Sequence, residues 1–270
     1  MQKRSYDNRD LDLMKDIAPL LVLAKGKSGM IDLSKIKKLY QNGFPTCGAH
    51  AGAYKKEIQE LSDSGYIGGF SPRYFWIKIK QIDGWPLLAG TDMRSIFKVL
   101  SKWGICKYDM LPNVYEMMTL SQYSDPKVIT KEMDDDAQEN IISSAYGFLK
   151  KGFTRKDLES ALDVFGSLTF IMDVDDGFFG TAYPTFTTKK YGHAMEAFFY
   201  NENYIFVLDS TEKNLEYSVK YISWNYFKFI REVGTAVDVP NATIREMLRK
   251  KDILTRIVEL YNTILKLLKK

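Results

Sequence analysis

Four side chains in this sequence have the types and order that acyl transfer needs: Gln41, Cys47, His193 and Asp209. A thiolate attacks a carbonyl carbon, and an imidazole takes the thiol proton and returns it to the leaving amine. A carboxylate behind the ring fixes its tautomer and orientation. An amide N–H, together with the N–H of the nucleophile itself, stabilises the oxyanion that forms. Cys47 stands six residues after Gln41, and Asp209 sixteen after His193.

The local setting supports this assignment. Asn42-Gly43-Phe44-Pro45 reads as a turn, and Cys47 opens an expected helix over Cys47–Leu61. A thiol at a helix N-terminus feels the positive end of the dipole and unpaired N–H groups, both of which favour the thiolate. Gly192 lets a backbone approach His193 closely. The other reactive residues have weaker placements. His50 lies three positions after Cys47 on the same helix, so its ring runs along the helix flank and reads as core or lobe interface. Glu196, three residues past His193, falls on the opposite strand face. Cys106 follows Gly104-Ile105 and reads as structural.

The elements that must position these residues come in two blocks. The first is helical. Ser71 caps a helix over Tyr74–Ile82 with Pro72 in its first turn, and Thr91 is read as the cap of a third helix that ends at Gly104. Lys127–Gln138 reads as an acidic, irregular connection. The second block is strand-rich. Strands are expected over Ile141–Leu149, Leu168–Val174, Ala194–Tyr200, Tyr204–Leu208 and Tyr221–Ile230, with a hairpin turn at Asn201-Glu202-Asn203. A capping box at Thr154–Asp157 inserts one helix. Asp7–Leu23 holds a short helix stopped near Pro19, and the segment 241–270 reads as a basic amphipathic helix with Met247, Leu254, Tyr261 and Leu268 in heptad spacing.

Composition sets outer bounds. At 270 residues with 45% hydrophobic content the chain can bury a sizeable core. Two cysteines exclude a disulfide framework, and with two histidines they do not build a zinc site, so no metal or cofactor is expected. No signal peptide or membrane span is recognised, and a cytoplasmic setting is favoured for the free thiol. Residues 241–270 hold eight basic and three acidic side chains, a surplus of five against a whole-chain charge of +4. The remainder is therefore slightly acidic, and nucleic-acid binding by the body is not expected. The C-terminal stripe suits packing on the body, a second copy, or a membrane or particle surface.

With Gln41, Cys47, Gly192-His193-Ala194 and Asp209 in this order and spacing, the sequence resembles the papain family of cysteine peptidases over roughly residues 31–238. Further echoes are Ile31-Asp32-Leu33-Ser34, similar to a mature-enzyme start, and Leu88-Ala89-Gly90-Thr91, similar to the loop that binds substrate backbone. The resemblance implies an α+β, papain-like fold. A helical left lobe (about 36–130) and an antiparallel β-barrel-like right lobe (about 139–238) would flank a catalytic cleft. Residues 1–30 would be an N-terminal extension, and 239–270 the C-terminal helix. It also implies a cysteine peptidase acting on peptide or protein, with Gln41 in the oxyanion hole and Gly90 and Gly192 against substrate. The alternatives are a silent binding or assembly module on the same fold, and an acyl-transfer enzyme for isopeptide or cell-wall amides. Three departures stand out. Asp209 replaces the family's usual asparagine, Gly48 replaces the tryptophan after the nucleophile, and Ser210-Thr211-Glu212 lacks the aromatic that shields the third member.

Overall fold

The computed structural model describes residues 11–17, 31–114, 118–142 and 145–237. The expected C-terminal helix, and most of the expected Asp7–Leu23 helix, lie outside these residues. Of the latter only Leu11–Ile17 is described, as a two-residue strand β1 (Leu11–Asp12) and a single helical turn.

Helices come first along the chain. α1 (Cys47–Asp63) is buried on every side from Cys47 to Ile58, because its opening turns carry Ala and Gly. At Gly52 a Cβ would lie 2.2 Å from the ring of Phe75, so only glycine allows that approach. α2 (Pro72–Lys80) starts where Ser71 Oγ accepts the Tyr74 N–H and donates to the Leu111 carbonyl, with Pro72 in its first turn as expected.

α3 (Met93–Lys102) is capped by Asp92, not by Thr91. The Asp92 carboxylate accepts the Ser95 N–H at 2.9 Å, where the dipole favours negative charge, while Thr91 is fully buried against α1. Of the expected core face of Ile96, Phe97, Val99, Leu100 and Trp103, the first four are buried and Trp103 is partly buried against the core. Gly104 follows with φ +71°.

After a short α4 (Leu120–Tyr123), the acidic stretch expected to be irregular forms α5 (Lys131–Glu139). Thr130 caps it, and Glu132 and Asp134 sit in the first turn, a placement that suits the dipole. Only Ala137 of this helix is buried, so its apolar periodicity is too sparse to read.

The second block forms one seven-stranded sheet in the order β1-β2-β7-β3-β4-β5-β6. Its strands are β2 (Ala145–Phe148), β3 (Leu168–Val174), β4 (Tyr191–Tyr200), β5 (Tyr204–Leu208), β6 (Val219–Ser223) and β7 (Ile230–Val237). Every pairing is antiparallel except β1 with β2. α6 (Arg155–Phe165) precedes β3, opened by the expected Thr154–Asp157 capping box. Tyr221–Ile230 is not one strand. Ser223 caps a 3₁₀ turn over Trp224–Phe229, and the chain then returns as β7 between β2 and β3.

One face of the sheet, with Ile171, Ala194, Phe198, Leu208 and Ala236, packs on the helices of the first block. The other face, with Phe170, Met172, Met195, Val207 and Ile222, packs on α6 and the aromatic turns. Gly104, just after α3, lies against the end of α5. A Cβ there would sit 1.8 Å from the Ala137 carbonyl oxygen, at a backbone angle that suits glycine. Gly104→Ala is expected to destabilise the protein by about 2 kcal/mol or more, read as a lowered urea midpoint with an unchanged m-value.

Candidate active site

The turn before α1 uses two left-handed residues in succession, Asn42 at φ 49° and Gly43 at φ 73°. It closes with the Phe44 N–H on the Gln41 carbonyl. Thr46 then takes the N-cap position and Cys47 becomes the first helical residue. The thiol thus lies where backbone N–H groups have no intrahelical acceptor. It is buried and unoxidised.

β4 brings His193 to this helix end. Its Nε2 donates to Asp209 Oδ1 at 2.6 Å, and the ring lies by the Cys47 sulfur, where each group favours the other's ionised form. With Nε2 on the carboxylate, Nδ1 is the nitrogen left for sulfur. The Ala194 N–H also favours the ionised sulfur. Asp209 follows the end of β5 and is fully buried. Its second oxygen accepts from the Thr211 N–H and hydroxyl.

Gln41 completes the group from the other side. Its backbone N–H donates to the Ser210 carbonyl at 2.7 Å, and the Ser210 hydroxyl donates to Gln41 Oε1 at 2.8 Å. The amide nitrogen donates to the Phe44 carbonyl, which engages one of its two N–H bonds.

The electrostatics favour separated charge. Burial pushes the Cys47 thiol up, but hydrogen bonding and charge attraction from His193, with the Ala194 N–H, leave it below the ordinary thiol value. Burial alone would discharge the His193 ring, yet Asp209 and Cys47 raise it to about 9. Burial opposes ionisation of Asp209 as well, and His193, Lys220 and Thr211 together hold it below the usual carboxylate range. All three shifts run toward a thiolate beside an imidazolium backed by a carboxylate.

Gly90 ends the 3₁₀ turn Leu87–Ala89, and its carbonyl accepts from the Lys80 ammonium. That ammonium also binds Asp83 Oδ2 and the Pro86 carbonyl and lies over the Trp76 ring. The turn stands next to Cys47 through its neighbours: a Cβ on Gly48 would meet the Thr91 methyl at 2.7 Å. A large residue after Cys47 has no room here. Gly192 pairs with Asp173 in the β3–β4 ladder, one residue before His193.

His50 is not a second base. Its ring is fully buried on α1, with Nδ1 donating to the Thr46 carbonyl and Nε2 accepting from Asn113. Burial holds it down to about 4. Glu196 does face away from His193, as the pleat requires, and accepts from the Thr169 hydroxyl at 2.6 Å. Cys106 is buried, and that burial pushes its thiol up to about 12. Among the described residues no group of His, Cys, Asp and Glu could hold a metal ion, and no helix is long and apolar enough to cross a membrane.

Two neighbours of this group were not anticipated from the sequence. Phe178 lies edge-on to His193 with ring centroids 5.3 Å apart, so an aromatic guards the ring although Ser210-Thr211-Glu212 carries none. Lys220 is fully buried with its ammonium 3.8 Å from Asp209. The alternation Val219-Lys220-Tyr221-Ile222 carried a signal, since it put a lysine on the same strand face as a core isoleucine.

No protein-family model and no curated protein matches the sequence. Solved structures do match. Xylellain, a cysteine protease from Xylella fastidiosa, superimposes with a TM-score of 0.69 at 18% identity, over 87% of this chain and 94% of that one. The fold is papain-like. A cysteine protease of Carica candamarcensis matches with a TM-score of 0.55 at 13% identity, over 76% of this chain and 95% of its own. A procathepsin B of Trypanosoma congolense gives 0.56 at 14% identity, over 76% of this chain and 72% of that one. The papain-like arrangement here thus sets the helices of the first block on one face of the sheet and α6 on the other, with α1 packed against β4.

The His50 ring gives this core a pH dependence of known sign. Its pKa in the folded protein lies below the unfolded value, so its contribution is intact above pH 6.5 and is lost as pH falls toward 4. That loss amounts to about 3 kcal/mol. His50→Gln is expected to flatten the stability profile over this window relative to wild type, measured by urea unfolding at stepped pH.

Proposed function

We propose that this protein is a papain-like cysteine peptidase that hydrolyses peptide bonds through Cys47, His193 and Asp209, with Gln41 in the oxyanion hole. One observation carries the reading: a buried sulfur at a helix N-terminus, an imidazole ring that lowers its pKa, and a carboxylate 2.6 Å behind the ring. The likeness to cysteine proteases in fold is consistent with it.

The chemistry follows from the charges. The Cys47 thiolate attacks the peptide carbonyl carbon, and the oxygen takes up the electron pair. The Cys47 N–H and the remaining Gln41 N–H are the donors for that oxyanion. As the C–N bond breaks, imidazolium His193 gives its proton to the departing amine, leaving a thioester. Water then attacks the thioester, His193 takes its proton, and the sulfur leaves as thiolate. Asp209 keeps the ring aligned through both proton transfers. Gly90 and Gly192 flank the site as backbone able to lie against an extended peptide.

Mass spectrometry of a mixed peptide library tests the reading. Cleavage is expected with wild type, and a drop of roughly 10⁴-fold or more with Cys47→Ala or His193→Ala. Gln41→Ala should cost roughly 10²–10³-fold in kcat. A thiol-directed epoxide that leaves Cys47 unlabelled in the folded protein, with no turnover lost in Cys47→Ala, would sink the proposal. The pH profile should fall on its basic side near the His193 value of about 9. Asp209→Asn removes the largest influence raising that ring, so its basic limb is expected to move down by about one unit or more.

A further inference from the structure

An aspartate in the third position poses a problem that a neutral asparagine would not. Asp209 is fully buried, and a buried anion costs several kcal/mol unless it is paired. His193 supplies one partner, but in the resting pair its charge is shared with the Cys47 thiolate. The described groups around Asp209 come from several elements. His193 approaches from β4, Thr211 from the following turn, Lys220 from β6, and neutral His50 lies on α1.

Lys220 is the only ammonium among the described residues that forms an ion pair with Asp209. Its side chain is fully buried, on an inward-facing strand position normally held by an apolar residue. The ammonium bonds to the Phe178 carbonyl at 3.0 Å, the Thr181 carbonyl at 2.9 Å and Glu212 Oε1 at 2.7 Å. It also lies over the Phe178 ring, 4.5 Å from the centroid. Glu212 accepts the Gly180 N–H at 2.7 Å and so closes the 178–181 turn onto the same cation. One cation thus touches the carboxylate behind His193 and the turn whose aromatic ring packs on His193.

We propose that Lys220 is a positioning residue for the proposed active site: it is the counter-charge that lets an aspartate stand behind His193, and it anchors Phe178 against that ring. The assignment rests on the peptidase reading above but is tested without peptide turnover.

The experiment is a double-mutant cycle of Lys220→Met and Asp209→Asn on the full chain. The readout is the rate of Cys47 alkylation by iodoacetamide against pH, which reports the thiolate. With Asp209 in place, Lys220→Met withdraws a buried cation and is expected to move the acid limb up by about one pH unit or more. In the Asp209→Asn background the same change should move it by less than half as much, because no carboxylate is left to balance. Equal shifts in both backgrounds, or no shift in either, would overturn the proposal. A wild type with no alkylation in the acid-to-neutral range would instead count against the thiolate–imidazolium pair itself.

Thermal unfolding of the same four proteins gives a second reading. Removing both charges should be less damaging than the sum of the single changes, and additive losses would overturn the proposal. Should Lys220→Met fail to fold in both backgrounds, Glu212→Gln takes its place. It removes the outer anion and leaves the ammonium, and it is expected to move the acid limb down. An unmoved limb would overturn the proposal.

Discussion

A line of alternating charge runs through the interior, from the Cys47 sulfur to the His193 ring, the Asp209 carboxylate, the Lys220 ammonium and Glu212. Most of it is inaccessible to water, so each member depends on the next for its ionised form. The fold is arranged around this requirement. α1 brings its N-terminus and its sulfur, β4 the ring, the end of β5 the carboxylate, and β6 the cation. Removal of one member leaves its neighbour as an unpaired buried charge, which explains why four separate elements must meet at one place.

The all-round burial of α1 serves the same end. A helix whose opening turns are rich in alanine and glycine approaches both Phe75 and β4 closely enough to carry a thiol into the sheet. The Gln41–Ser210 pair fixes the segment before that helix to the segment after Asp209 with two hydrogen bonds. The Gln41 amide and the Asp209 carboxylate that bonds His193 therefore share one neighbourhood, although the residues that bond lie 169 positions apart in the chain.

Much of this was legible in the sequence, and the reasons differ by element. Gln41, Cys47, His193 and Asp209 could be named because their chemistry needs specific atoms at specific places, and the structure brings them together. β3 and the β4–β5 hairpin were readable from β-rich runs around a turn. α5 was not, since a helix that buries little beyond Ala137 shows hardly any apolar stripe. The Tyr221–Ile230 stretch misled because aromatic content suits both strand and 3₁₀ turn, and only Ser223 marks the break. Thr91 and Asp92 are both good caps by type. Burial against Gly48, which is a tertiary fact, decided between them. Phe178 and Lys220 escaped notice because their partners come from distant strands.

The contact of Gly48 with Thr91 also bears on how such a chain can change over time. Any side chain at position 48 must displace a methyl group that lies 2.7 Å from where its first carbon would stand. Thr91 in turn immediately precedes the cap of α3 and follows the Gly90 turn. Ile96 closes the same space at 3.0 Å, so positions 48, 91 and 96 are coupled: a side chain at 48 needs room made at the other two. While Thr91 and Ile96 hold their places, glycine at 48 is what this packing admits.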